Sequence, residues 1–169
     1  MTIQKAEELF LYTLSHLHNS ENHLLRTVQE MSKAAHDKDI KEALELRVYL
    51  SKQAISNIEE CFRLLGKQPM KVSSRFQDVW MEDFLKELNE IQAPALKALY
   101  TIHKVRQIQE MHIAEYAALE NMAQLMGNFP VATLLERNLE DKVAFVEQTD
   151  EIIREIGRTL IVGKMKKAA

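Results

Sequence analysis

The run from Ala95 to Gly127 constrains this chain most. Taken every 3.5 residues, its inward stripe is Ala95, Ala98, Ile102, Val105, Gln109, His112, Tyr116, Leu119, Ala123 and Met126. The spacing alternates three and four without a break, the pattern of a helix seated in a bundle core. Two polar residues, Gln109 and His112, interrupt the stripe at its middle, one helical turn apart and on one face. A Q-x-x-H pair at that depth is one carboxylate short of the E-x-x-H pair that holds iron or manganese in di-metal carboxylate bundles.

Other segments repeat the pattern. A first helix from Thr2, as N-cap, to Ala34 carries Phe10, Leu14, Leu17, Glu21, Leu24, Val28 and Met31 on its stripe. Glu21 sits where an unpaired charge costs several kcal/mol, so it needs a metal, a cation or strong donors. His16, His18 and His23 surround it, but His16 and His23 lie off the stripe and read as surface histidines. After a turn at 35–39, a second helix from Ile40 to Leu65 carries Leu44, Val48, Ser51, Ile55, Ile58, Phe62 and Leu65, and Gly66 ends it. Ser51 is its one polar stripe member, and no carboxylate stands between Arg47 and Asn57. An extended connector, 67–74, leads to a shorter helix, Phe76–Ile91, long enough with its flanks to cross over the bundle and leave the second and third core helices parallel. Trp80 and Phe84 pack it on the bundle or make a dimer contact. Pro94 starts the central helix and Pro130 the last, which runs to about Ile161. That last helix has two competing registers. One is Leu135, Lys142, Phe145, Thr149, Ile152 and Ile156, and its neighbour is Leu139, Val143, Val146, Ile153 and Leu160.

Composition agrees with a single all-α domain over 1–163 followed by a short basic tail, 164–169, holding Lys164, Lys166 and Lys167. The 169 residues are 46% apolar, with eight Met, four Gly and three Pro. A net charge of -3 gives no nucleic-acid footprint. Cys61 is the single cysteine and reads as a small buried apolar residue, which fits a reducing compartment. No run approaches a membrane span of ~20 apolar residues, and residues 1–30 lack the apolar core of a signal peptide. These features predict a cytoplasmic protein with no membrane partner.

Several motifs carry a resemblance along nearly the whole chain. ELFLYTLSHLHNSENHLL is similar to an acidic-aromatic start followed by Y-S-A-E-K-Q-L, with Glu21 on the glutamate. FRLLGKQP resembles F-x-L-L-G-x-x-P, VRQIQEMHIAEYAALENMAQLMG resembles V-E-H-Y-E-I-A-x-Y-G…A-x-x-L-G, and LLERNLEDKVA resembles L-L-x-x-T-L-x-E-E-K-A. The chain thus resembles the YciE/YciF-like family of ferritin-like bacterial proteins, associated with stress responses. The resemblance implies a ferritin-like four-helix bundle with one long crossover containing a short extra helix, a homodimer and a stress role. It also implies a remnant di-metal site. Glu21 keeps its glutamate, Gln109 stands where the family has Glu, His112 stands where it has a second Glu, and Asp141 keeps an acid. Lys142 replaces an acid, and the acid expected near Tyr49–Ser51 is missing.

Two divalent ions bring four positive charges, and Glu21 neutralises only one of them. The reading that follows is a bundle without catalysis. In it Lys142 has taken over the metal's electrostatic role, and Glu21, Lys142, Gln109, His112 and Ser51 form a hydrogen-bonded layer that needs no cofactor. Lys142→Met then loses about 3–5 kcal/mol, the cost of an orphaned buried charge. The alternatives are an iron- or manganese-binding oxidase or storage protein with a reduced ligand set, such as Glu21, His112 and Asp141, and a helical interaction module whose protein partner binds around Trp80 and Phe84.

Overall fold

Each amphipathic run becomes a helix in the computed structural model. The structure describes residues 2–35, 37–73 and 75–168, and the side chains of Ala34, Gln77 and 161–168 lie outside the described residues. The helices are α1 (Ala6–Ala34), α2 (Lys38–Leu64), α3 (Arg75–Glu90), α4 (Pro94–Leu125) and α5 (Phe129–Ala168). Four of them form the bundle, in which α4 packs on α5, α1 on α2, α2 on α5 and α1 on α4. Crossover helix α3 lies against α4 and α1.

Two apolar clusters fix the directions. One joins Phe10, Leu14 and Leu17 of α1 with Ile58, Cys61 and Phe62 of α2, Tyr116, Leu119 and Ala123 of α4, and Val131, Ala132 and Leu135 of α5. The other joins Leu24, Val28 and Met31 with Ile40, Leu44, Phe84, Val105, Ile108 and Phe145. The late residues of α2 and α4 therefore share an end with the early residues of α1 and α5. Helices α2 and α4 run parallel, as the crossover requires. This is the ferritin-like four-helix bundle with one long crossover containing a short helix.

Local chemistry sets the ends. Helix α1 begins at Ala6, not Thr2, because the Glu8 carboxylate reaches back to the Gln4 and Lys5 amides at 2.9 and 3.3 Å. Asp37 caps α2, accepting from the Ile40 amide at 3.1 Å. Gly66 and Gly127 take φ of 62° and 74°, which lets the Lys67 and Asn128 amides bond back to the Phe62 and Ala123 carbonyls at 2.9 Å each. The connector after Gly66 is pinned by buried Ser15, whose hydroxyl donates to the Leu11 carbonyl at 2.7 Å and accepts from the Met70 amide at 3.0 Å.

Two stripe assignments and one helix end change. Ala95 is exposed, since the first turn of α4 stands at the end of the bundle. Arg47 is buried on α2 while Val48, expected in the stripe, is only half-buried. Helix α5 runs on to Ala168, past the expected end near Ile161, so 164–168 belong to a helix, and the side chains of Lys164, Lys166 and Lys167 lie outside the described residues. Crossover helix α3 is held by a ring stack: Trp80 on Phe84 at 5.7 Å between centroids, and Phe84 on Tyr100 of α4 at 5.8 Å. Among the described residues no helix is long and apolar enough to cross a membrane.

Candidate functional site

Between the two apolar clusters every bundle helix contributes buried polar side chains. Helix α1 gives Ser20 and Glu21, α2 gives Arg47 and Ser51, α4 gives Gln109, His112 and Tyr116, and α5 gives Asn138 and Lys142. All are essentially closed to solvent, and Glu21, Gln109, His112 and Tyr116 are 0% exposed. Heptad spacing puts the layer at one depth. Along each helix the polar residues fall between the buried core residues of one cluster and those of the other, except Tyr116, which belongs to the first cluster itself.

Glu21 is the centre. Its Oε1 lies 2.5 Å from Lys142 Nζ and 3.2 Å from His112 Nδ1, and it accepts the Tyr116 hydroxyl at 3.0 Å. Its Oε2 accepts from Arg47 Nη2 at 3.4 Å. Lys142 also donates to Gln109 Oε1 at 3.2 Å and stands 5.2 Å above the Tyr116 ring. Arg47 stands 5.6 Å over the Phe145 ring. Asn138 donates to the Ala54 carbonyl at 3.1 Å and to the Tyr116 oxygen at 3.4 Å, and accepts from Asn57 at 2.7 Å.

His112 Nδ1 faces both Glu21 Oε1 at 3.2 Å and Lys142 Nζ at 3.5 Å, and Nε2 pairs with the Ser20 hydroxyl at 2.6 Å. Burial lowers the His112 pKa, against the pull of Glu21. Burial raises the Glu21 pKa, but Lys142, His112 and Arg47 together hold it well below the usual carboxylate range. Burial and the charge of Arg47 push Lys142 down to about 7 against the attraction of Glu21. Burial, then Glu21, drives the Tyr116 hydroxyl well above its ordinary value. Half-buried Glu115 of α4 is raised by burial and by Glu21.

Of the residues singled out in the sequence, Glu21, Gln109, His112 and Lys142 meet in this layer, with Lys142 on the register that carries Phe145 and Thr149, whereas Ser51 is buried on α2 but its hydroxyl makes no hydrogen bond to them. Asp141 is exposed and does not join them, so the Glu21, His112 and Asp141 ligand set does not assemble. His16, His18 and His23 are all partly exposed; His18 lies 3.5 Å from Glu59 and His23 3.7 Å from Asp78. Cys61 is buried, its thiol pushed up to about 12 by burial.

Sequence reasoning missed Arg47, because arginine is assigned to solvent by default. Its signal was position: Arg47 precedes Ser51 by one turn, at the depth of the other polar interruptions. Asn138 precedes Lys142 by one turn in the same way.

The donor set does not suit a di-metal centre. Such a centre takes about four carboxylates with two histidines, and the layer offers one carboxylate, whose Oε1 already holds an ammonium at 2.5 Å. Among the described residues no group of three or more His, Cys, Asp or Glu is placed to hold a metal ion.

The comparisons with known proteins agree with this architecture. The sequence profile described as Domain of unknown function (DUF892) matches residues 5–160. Protein YciF of Escherichia coli K12 is 22% identical over 163 residues, covering 94% of this chain and 96% of its own. The crystal structure of the E. coli stress protein YciF superposes with a TM-score of 0.86 at 17% identity, over 92% of this chain and 99% of its own. YcfI from Rhodopseudomonas palustris superposes with a TM-score of 0.83 at 20% identity, over 88% and 94%.

Proposed function

The chain belongs to the family described as Domain of unknown function (DUF892), the YciF-like proteins, and on that premise we propose that it is a non-catalytic, stress-associated bundle protein whose metal centre has been replaced by a charged layer. One observation carries the reading: Lys142 Nζ stands 2.5 Å from Oε1 of the layer's one carboxylate. The ammonium supplies the positive charge that a cation would supply in a di-metal bundle. A second cation, Arg47, approaches the other oxygen. A divalent ion entering here meets two positive charges in a medium of low dielectric, where like charges repel strongly. The stress association rests on the description of the E. coli relative as a stress protein.

The protein acts as a cytoplasmic homodimer in this reading. Exposed apolar residues of α3, Phe76, Val79 and Leu85, support an interface on that side. Sedimentation equilibrium tests the dimer.

Elemental analysis tests the central claim. The protein is loaded with Fe(II), Mn(II) or Zn(II) in separate samples and then desalted. The expected result is no stoichiometric metal from any of the three. Metal retained in proportion to chain, and lost in Glu21→Gln, would return the protein to the iron- or manganese-binding class.

A further inference from the structure

A cavity of about 660 Å³ opens away from the charged layer, at the end of the bundle where α2 and α4 begin. Its floor is the core itself. Met31 and Ile40 line it, and both belong to the second apolar cluster at 9% and 1% exposure. Its walls come from the α1–α2 turn, the end of α3 and the first turns of α4, through Ala35, Leu88, Pro94, Ala95 and Ala98.

The sequence accounts for the space. The inward stripe of α4 runs Ala95, Ala98, Ile102; Ile102 is 0% exposed, whereas Ala95 is exposed. The core-facing side of α4 thus continues past the last closed layer of the core. Alanines stand there where deeper layers carry Leu, Ile or Phe, so the layer is left open.

The lining defines what can fill it. Among the described residues that line the cavity, charge is confined to Asp37 and Lys97, one of each sign, so the lining carries no net charge. Asp37 is already engaged with α2, accepting from the Ile40 amide. A charged ligand would leave water for a mostly apolar wall with no net opposite charge, which is costly. Thr101 and Gln92 add neutral hydrogen-bonding groups. Gln92 donates to the Asn89 carbonyl at 3.5 Å, which leaves its amide oxygen as an acceptor. The volume selects a compact molecule over a length of chain. A helix is about 10 Å across and rises about 5.4 Å per turn, so less than two turns would fit. Apolar cavities of roughly 300–1,000 Å³ with a few polar groups are the usual seats of small molecules.

We propose that this cavity binds one neutral small molecule with a mostly apolar body and a single hydroxyl or carbonyl group. Its body rests on Met31 and Ile40 between Leu88 and Ala98, and its polar group meets Thr101 or Gln92. The ligand completes the layer of the core that Ala95 and Ala98 leave open.

Titration of the full chain with N-phenylnaphthylamine, a neutral apolar dye, tests this. The expected result is a saturable rise in fluorescence with one site per chain. Ala95→Phe and Ala98→Phe fill the cavity and should each weaken binding by about tenfold. Ala95 is exposed, so the first variant keeps the fold, which far-UV circular dichroism checks. Phe129→Ser removes an exposed ring at the opposite end of the bundle and should leave the affinity unchanged. Anilinonaphthalenesulfonate has similar rings and a negative charge, and should bind about tenfold more weakly than the neutral dye. No saturable rise, an affinity unchanged in folded Ala95→Phe, a loss of binding in Phe129→Ser, or equal affinity for the sulfonate overturns the proposal.

Discussion

Glu21→Gln is the perturbation that most directly tests how the charged layer is held. The substitution keeps the side-chain volume and removes one charge. In the native layer Oε1 meets Lys142 at 2.5 Å, Tyr116 at 3.0 Å and His112 at 3.2 Å, while Oε2 meets Arg47 at 3.4 Å. Without the carboxylate the two cations respond differently. Lys142 sheds its proton readily, since its pKa already lies at about 7. Arg47, 1% exposed, stays charged at any ordinary pH and is left unpaired. Removing one partner of a buried ion pair costs about 3–5 kcal/mol. At roughly 2–4 °C per kcal/mol for this chain length, the midpoint falls by about 6–20 °C.

Lys142→Met is milder than the sequence alone suggests. Arg47 remains to balance Glu21, so no charge is orphaned, and the main penalty is the unpaired Gln109 Oε1 at about 1–3 kcal/mol. Urea titrations followed by far-UV circular dichroism, with unchanged slopes, give both values. Glu21→Gln within about 1 kcal/mol of wild type, or Lys142→Met as costly as Glu21→Gln, would refute the reasoning.

Three further outcomes are expected. Stability depends on pH through the same groups. The folded pKa of Lys142, about 7, lies below its ordinary 10.5, so the unfolded chain holds more protons between those values and stability rises with pH across that window. His112 and Glu21 are also held below their ordinary 6.5 and 4.5, so stability falls as pH drops through those values; midpoints measured over pH should show the alkaline rise in wild type and not in Lys142→Met, and a weaker acid limb in the variant, since Lys142 is the largest influence lowering Glu21. The triple variant Glu21→Leu, Arg47→Met, Lys142→Leu removes every charge of the ion-paired set together, and urea unfolding should place it within about 1 kcal/mol of wild type or above it, because a buried ion network replaced by apolar side chains is often neutral or stabilising. Phe84→Ala takes out a ring 1% exposed between Trp80 and Tyr100, and should cost about 3–5 kcal/mol and red-shift the emission of Trp80, the chain's single tryptophan; unchanged emission would mean that the stack does not hold α3.

Much of this arrangement is legible in the residues. An unbroken alternation of three and four admits only a helix with one buried face, so α1, α2 and α4 and the parallel crossover follow from spacing. The same spacing put Glu21, Ser51, Gln109 and His112 at one depth, because a heptad stripe fixes both which way a residue points and how far along the helix it lies. The resemblance to the YciE/YciF-like proteins placed these residues over a metal centre and showed how few of its carboxylates survive.

Other features needed the packed molecule. Two registers of α5 competed in the sequence, the wholly apolar one among them, and only packing against the other helices selected the one that buries Lys142 and leaves Val143 41% exposed. Arg47 and Val48 are neighbours competing for one inward position, and the carboxylate across the layer turns the choice toward Arg47. A sequence pattern ranks side chains by their own affinity for water, and on that ranking arginine goes outward. The ranking reverses when a partner of opposite charge waits inside, and that partner comes from another helix, 26 residues away along the chain. The sequence by itself determined the helices and the depth of the polar layer. Tertiary structure alone decided the layer's charge, because charge balance is a sum over side chains that only folding brings together.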